Sequence, residues 1–303
     1  MNISFIVPAK ELDIYLLGHI KNLSQYSESF EVIIVVDKLQ PLNLKRKILS
    51  SIKGKNIKIY KNKKKGRISA LNYGFLKSKG KIIKCIDSDD LLKSDFFNYM
   101  NEYKKYDAHC HNAIIGNKRL QKLVTYTFNP FILNKDLFYL IENMISSPRW
   151  TWSFKRKIAN KIFPIPENLF AEDFWFTFII KKYSKEIKYI NNELYIYRQH
   201  SMNEWGGVMN FDKQIVERRS IWLLNEIKQL KIHKKALSIN DSDFHKAELY
   251  HQALLERSGI IDIFSLGIDL IFKIKLIIII YFPRSATSVI KLKWFLDKYR
   301  YSN

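Results

Sequence analysis

Cysteine is scarce: Cys85 and Cys110 are the only two in 303 residues. They form no Cys-x-x-Cys pair, which argues against a structural zinc site or a disulfide framework. Cys85 lies in an apolar run and reads as a small buried hydrophobe. The N-terminal MNISFIVPAKELD has neither the basic stretch nor the cleavage site of a secretory leader. With reduced thiols, this predicts a cytoplasmic protein. Glycine (10) and proline (7) are also few, and the chain contains no low-complexity linker and no internal repeat. Acidic residues are outnumbered, 29 against 51 Lys and Arg, for a net charge of +22. That excess points to an anionic partner, whether nucleic acid, lipid or phosphorylated substrate, or else to the Lys-, Ile- and Asn-rich composition of an AT-rich genome. What is present is globular in composition, 47% hydrophobic and 26% charged, and long enough for one large domain or two modest ones.

Short apolar runs alternate with helical spacing through the first ninety residues. Ile3–Val7 stops at Pro8 and predicts a buried strand followed by a loop. Leu12, Tyr15, Leu16, Ile20 and Leu23 recur at three- and four-residue intervals and predict an amphipathic helix. Val32–Val36 and Ile57–Tyr60 predict further strands, and Ile48–Ile52 and Ile68–Leu76 further helices. Ile82–Ile86 is a strand running into Asp87-Ser88-Asp89-Asp90. The alternation implies an α/β fold: parallel strands, right-handed crossovers and helices on both faces. In such sheets ligands bind at the carboxyl ends of the strands, where Pro8, Asp37 and Asp87–Asp90 all fall. Residues 110–205 are less regular and dense in aromatics, 213–231 form a basic amphipathic helix, and Asn240-Asp241-Ser242 starts another.

Asp87, Asp89 and Asp90 place three carboxylates within four residues after an apolar strand. In extended backbone, residues two apart face the same side, so Asp87 and Asp89 would share one cation. Ligation by oxygen alone suits Mg²⁺ or Mn²⁺ bridging to substrate phosphates. The competing reading makes Asp89 or Asp90 the N-cap of a helix starting near Leu91. Both hold if Asp90 caps while Asp87 and Asp89 bind metal.

The ordered segments ISFIVPAKE, EVIIVVDK and KKGRISALNYGFLKSKGKIIKCIDSDD resemble the N-terminal half of the family 2 glycosyltransferases with the GT-A fold. TWSFKRKI (151–158), AEDFWFTFII (171–180) and YIYRQHSMN (195–203) resemble the family's later signatures, in the same order, so the likeness spans about residues 1–205. It implies a GT-A-type mixed sheet divided into a nucleotide-sugar-binding half (1–110), an acceptor-binding and catalytic half (111–210) and a helical C-terminal region (211–303). It implies an inverting transfer from a nucleotide sugar, UDP-linked, to a bacterial surface glycan (capsule, lipooligosaccharide or O-antigen) or its lipid-linked precursor.

Carried over residue by residue, the resemblance puts Pro8, Ala9, Glu11, Asp37, Arg67, Asn72, Asp87 and Ser88 around the donor. Asp89 and His200 fall to a Mn²⁺ or Mg²⁺ ion, Asp173 to the catalytic base with Glu172 beside it, and Trp150 and Trp152 to the acceptor. The chemistry asks for these types. A cation and Lys63, Lys64, Lys65 and Arg67 would offset the charge of a departing diphosphate, and a carboxylate among aromatics has its pKa raised toward that of a useful base. Each has a plainer reading. The lysines form a solvated turn, Glu172-Asp173 the acidic first turn of a helix, His200 a structural hydrogen-bonder and the two tryptophans core. The chain departs from the family where Asp37 is followed by Lys38-Leu39-Gln40-Pro41 rather than Asp-Gly-Ser, and where Pro8 is followed by Ala9-Lys10-Glu11.

Gly259–Phe282 is strongly apolar, yet Asp262, Asp269, Lys273 and Lys275 argue against a spanning helix. Polar residues at three- and four-residue spacing predict one helix with a narrow polar stripe. It would lie on an anionic membrane surface with Arg284, Lys291, Lys293, Lys298 and Arg300, as a peripheral protein of the inner face of the plasma membrane, or pack on the catalytic domain or a second subunit. Two rival functions compete. A nucleotidylyltransferase would need a Gly-rich loop after the first strand, which ISFIVPAKELD lacks. A nucleic-acid-binding protein would explain the charge but not the acidic motifs, so no nucleic-acid partner is expected.

Overall fold

The computed structural model describes residues 3–26, 30–39, 46, 48, 50, 56–199 and 213–282. They fall into two compact units. The first takes Met1–Asn134, Ser146–Glu167 and Glu172–His200; the second takes Lys135–Ile145, Asn168–Ala171 and Ser201–Asn303. The expected segments follow one another along the chain, whereas these units interleave.

The first unit is a mixed sheet. β1 (Ile3–Glu11), β2 (Phe30–Lys38), β3 (Ile57–Lys61) and β4 (Ile82–Cys85) lie parallel in the order β3-β2-β1-β4. β5 (Leu91–Leu92), β6 (Ala108–Gly116), β7 (Lys122–Tyr126), β8 (Trp152–Lys155) and β9 (Ile187–Arg198) extend it as β4-β8-β6-β9-β5, with β7 on β6. All the added pairings are antiparallel except β6 with β9. Helices cover both faces. On one, Leu16, Ile20 and Leu23 of α1 (Ile14–Ser24) pack with Phe5, Val7 and Ile34. On the other, Ala70 of α2 (Arg67–Lys77) packs with Ile33 and Val35. Asp13 starts α1 by accepting the Leu16 N–H at 2.7 Å. Ile48 and Ser50 are helical, and the rest of the expected 48–52 helix lies outside the described residues.

β1 runs three residues past Pro8, where the apolar run was expected to stop. The reason is the side each peptide faces. The Ile6 carbonyl accepts the Ile86 N–H on the β4 side, so even-numbered peptides of β1 face β4. β4 pairs with Ile3–Ile6 only, while β2 pairs on to Glu11. The N–H that proline lacks therefore falls where no strand pairs. β4 ends at Cys85, opposite Ile6, and the chain runs on into the Asp87–Asp90 turn.

The second unit is helical. α5 (Lys213–Ile232), α6 (His245–Glu256), α7 (Ile260–Ser265) and α8 (Leu270–Tyr281) enclose a small core that includes Leu254, Ile263, Ile268 and Leu276. Asn240 and Asp243 form a capping box at the expected helix start. The apolar tail is two helices rather than one. Leu266 turns to extended backbone and Asp269 begins α8. The break, eased by Gly267, lets Ile263, Ile268 and Leu276 all reach the core.

Candidate active site

The Asp87–Asp90 segment is a turn, with the Asp90 N–H on the Asp87 carbonyl at 3.4 Å. The two-residue alternation expected of extended backbone does not apply, so it no longer argues for a shared cation. Nor does either aspartate cap a helix: Leu91–Leu92 is a strand, and the following 3₁₀ helix starts at Ser94 behind Lys93, with no side-chain cap. Asp90 instead holds the turn to β9. Its carboxylate accepts the Tyr195 hydroxyl at 2.8 Å and the Arg198 N–H at 2.7 Å, and its carbonyl meets His19 Nδ1 at 2.5 Å. Burial, then Asp89 and Asp87, raise its pKa well above the ordinary carboxylate range. Arg198 closes the far side, donating from Nε to the Asp89 carbonyl at 2.6 Å and from Nη1 to the Lys118 carbonyl at 2.9 Å.

Asp87 is gripped by both terminal nitrogens of Arg149. Arg149 precedes β8, is only 4% exposed, and reaches three acidic residues. Its Nε lies 3.4 Å from Glu172, its backbone N–H donates to Asp173 Oδ1 at 2.8 Å, and its fork holds Asp87. Arg67 approaches Glu172 from the other side, Nε at 2.8 Å and Nη2 at 3.0 Å. The result is an alternating chain, Asp87–Arg149–Glu172–Arg67. Burial pulls Arg149 down, but Asp87, Glu172 and Asp173 more than offset it and keep it charged.

Glu172 and Asp173 open the helix Glu172–Tyr183, where an acidic first turn is favoured. The first-turn reading of this pair therefore holds in the structure. Glu172 is buried and doubly paired; Asp173 is half-buried, and its pKa is pushed up to about 6 by desolvation and Glu172, against the pull of Arg149.

Asp37 accepts Asn62 Nδ2 at 2.7 Å and the Gly66 N–H at 3.0 Å, so it anchors the turn that leads into α2. Gly66 has a φ of 116°, which a side chain tolerates poorly. Pro8 and Ala9 are buried in β1, Glu11 is exposed, and Ser88 is half-buried in the turn. Asn72 spends its amide on Ile165, donating to its carbonyl at 2.9 Å and accepting its N–H at 2.7 Å. It therefore fixes the segment before Glu172. Lys64 pairs with Glu167 on the surface.

Trp152 is fully buried against Phe128 and offers no face to an acceptor sugar. Trp150 is 6% exposed and stacked on Tyr195 and Tyr197, centroids at 5.1 and 5.7 Å. In this structure both belong to the core. His200 lies outside the described residues. Among the described residues, no group of three or more His, Cys, Asp or Glu converges as a metal site.

Arg149, Tyr195, Arg198 and Lys84 carry much of this geometry without having been singled out. Lys84 is the legible one, a cation inside the apolar run Ile82–Ile86. It is fully buried, with Nζ at 2.8 Å from both His111 Nε2 and the Trp150 carbonyl. Burial brings its pKa down to about 7. His111 Nδ1 faces the Asn112 carbonyl at 2.8 Å, so Nδ1 carries the proton and Nε2 accepts from lysine.

A parallel half-sheet, an acidic turn after its β4 strand and a carboxylate of raised pKa beyond match the arrangement that the GT-A resemblance implies. The sequence profile of Glycosyl transferase family 2 matches residues 4–187, and the chain belongs to that family. Among solved structures it is similar to TarS 1–349 of S. aureus in complex with UDP-GlcNAc, with 18% identity, a TM-score of 0.55, and 92% of this chain and 79% of that one covered. It is also similar to the mannosyltransferase PcManGT of Pyrobaculum calidifontis in complex with GDP-Man and Mn²⁺, with 12% identity, a TM-score of 0.52, and 85% and 76% covered. At these identities the likeness shows the fold. No curated protein matches the chain.

Proposed function

We propose that this glycosyltransferase moves a sugar from a nucleoside-diphosphate donor, UDP-linked, onto a carbohydrate hydroxyl, with inversion. The observation that carries the reading is Arg149, which ties the donor-side carboxylate Asp87 to the Glu172-Asp173 pair in one site. Asp173 has the right properties for a base: half-buried, and raised to about 6, so it is ionised at neutral pH yet basic enough to take a hydroxyl proton. Glu172 is held by two guanidiniums and is not available as a nucleophile. A single base used once gives inversion. TarS with UDP-GlcNAc supports the donor class, and PcManGT with Mn²⁺ supports a divalent cation.

A cation fits the residues present. After burial, Asp89 and Asp87 are what raise Asp90, so the carboxylates of the turn repel one another and a cation would relieve that repulsion. Mg²⁺ and Mn²⁺ often take only one or two carboxylates, with substrate phosphates completing the shell. Asp89 would hold the ion, which would supply charge stabilisation for the departing diphosphate. Arg149 fixes Asp87, and Arg198 fixes the Asp89 carbonyl. The acceptor we infer is a bacterial surface glycan or its lipid-linked precursor, met by the enzyme as a peripheral protein at the inner face of the membrane.

The test is a thermal-shift screen of nucleotide sugars with and without Mn²⁺, since a ligand of the native state raises stability. A UDP-sugar should raise the melting temperature further when Mn²⁺ is added. Asp89→Asn should lose that increment and its turnover while melting normally without ligand. Full turnover of Asp89→Asn, or of the wild type in excess chelator, removes the cation from the reaction. A screen in which no nucleotide sugar shifts the protein overturns the donor class.

A further inference from the structure

The second unit carries an apolar surface that its own core leaves uncovered. α7 and α8 lie side by side and antiparallel, fixed by two hydrogen bonds. Lys273 Nζ donates to the Phe264 carbonyl at 2.6 Å, and the Tyr281 hydroxyl donates to the Ser258 carbonyl at 3.0 Å. Their inward residues Ile263 and Leu276 share a core. Their outward residues face solvent: Ile260, Ile261 and Phe264 from α7, and Leu270, Ile271 and Ile274 from α8. Exposure reaches 85% at Ile261 and 61% and 60% at Leu270 and Ile271. Along α8 the stripe recurs at helical spacing from Leu270 through Ile274 to Tyr281, and Phe282 extends it. Single exposed hydrophobes are ordinary, but a contiguous patch of this kind marks an interaction surface.

We propose that this two-helix face docks on an anionic lipid leaflet, lying in the interface rather than crossing it. No helix among the described residues is long and apolar enough to cross a membrane. The charges select the occupant. Lys273 and Lys275 sit on the same helix, the Lys275 ammonium lying 4.6 Å from the Phe272 ring centroid, so cations border the apolar stripe. The sequence that follows adds Arg284, Lys291, Lys293, Lys298 and Arg300 against a single acid, Asp297. On the acidic side, Asp262 is exposed, and Asp269 lies 3.8 Å from Lys246. A second copy of the chain would bring +22 against +22, whereas an anionic leaflet offers apolar depth and opposite charge together. The inference deepens the acceptor reading, since a lipid-linked acceptor resides on such a surface, but its evidence is independent of the site.

The experiment is vesicle flotation of the full chain, with phosphatidylcholine alone and with phosphatidylcholine plus phosphatidylglycerol, at low and high salt. The wild type should float with the anionic vesicles at low salt, weaken as salt rises, and ignore the neutral ones. Ile261→Asp with Ile271→Asp should cut partitioning by at least about tenfold, because each buried isoleucine contributes more than that factor. The milder Ile261→Ser with Ile271→Ser should fall between, and both variants should keep the wild-type circular dichroism and release UDP at the wild-type rate. A wild type that ignores anionic vesicles, or double variants that bind as well as it does, overturns the proposal. So does a concentration-dependent dimer that the variants break, which would assign the face to a second copy. Unchanged UDP release without vesicle binding overturns this surface and leaves the reaction standing. Binding without any nucleotide-sugar turnover does the reverse.

Discussion

Asp173 receives opposite instructions from its neighbours. Desolvation and Glu172 raise its pKa, the Arg149 charge and N–H lower it, and the balance is about 6. A base must be ionised to act, so kcat/KM should rise with pH through about 6 and level off above it. Asp173→Asn should remove that limb and cost on the order of 10²–10⁴-fold in transfer while donor binding persists. The sign for stability is the reverse. A carboxyl raised above its ordinary 3.8 contributes most below that value, and the contribution is lost as pH rises through about 6. Asparagine does not ionise, and its Oδ1 can still accept the Arg149 N–H. The variant should therefore melt no lower than wild type at pH 8, which separates a lost base from a lost fold. Transfer surviving within a factor of a few would move the base elsewhere, with Glu172 the first to examine.

At the scale of elements, α1, β2, β3 and α2 were legible because each writes its burial as an apolar run or a helical stripe. The strands of the extended half were not. β6 reads AHCHNAIIG, and its buried His111 and Asn112 are partnered by Lys84 and Asn191, distant in sequence. No periodicity reports such pairings. Asp87, Asp89 and Asp173 stood out as residue types in motifs. That Arg149 would join Asp87 to Glu172 did not, because β8 and the helix Glu172–Tyr183 are brought together only by the fold. Pro8 misled for a related reason: whether proline ends a strand depends on which neighbour has already stopped pairing. Close packing of α2 on the sheet gives a direct test. A Cβ on Gly74 would stand 2.5 Å from Ile6 Cγ2 and 3.5 Å from Val35 Cγ2. Gly74→Ala should therefore destabilise by about 1–3 kcal/mol through overpacking, despite alanine's better helix propensity. A urea midpoint equal to or above wild type would show that the helix shifts freely and does not rigidly position the donor half.

At the scale of the whole molecule, the 201–303 region is not an appendage that can be cut away. The second unit takes Lys135–Ile145 and Asn168–Ala171 from the middle of the chain. Leu140, Ile141, Met144 and Leu169 in those segments are buried. The Glu226 carboxylate on α5 accepts the Phe170 N–H at 2.7 Å and the Ala171 N–H at 3.2 Å, and Lys246 on α6 pairs with Glu142 at 3.1 Å. Ala171 immediately precedes Glu172 of the candidate catalytic pair in the chain. A chain ending at residue 200 keeps every candidate catalytic, donor and metal residue. It nevertheless uncovers those apolar side chains and leaves two N–H groups without their acceptor, each worth about 1–3 kcal/mol if buried. The melting temperature should fall by at least about 10 °C, with exposed apolar surface detectable by dye binding, and transfer should fall with it. A truncated chain that stays monomeric, melts within a few degrees of the full protein and retains transfer would show that the first unit folds and works alone. The interleaving would then be a matter of contact geometry without energetic weight.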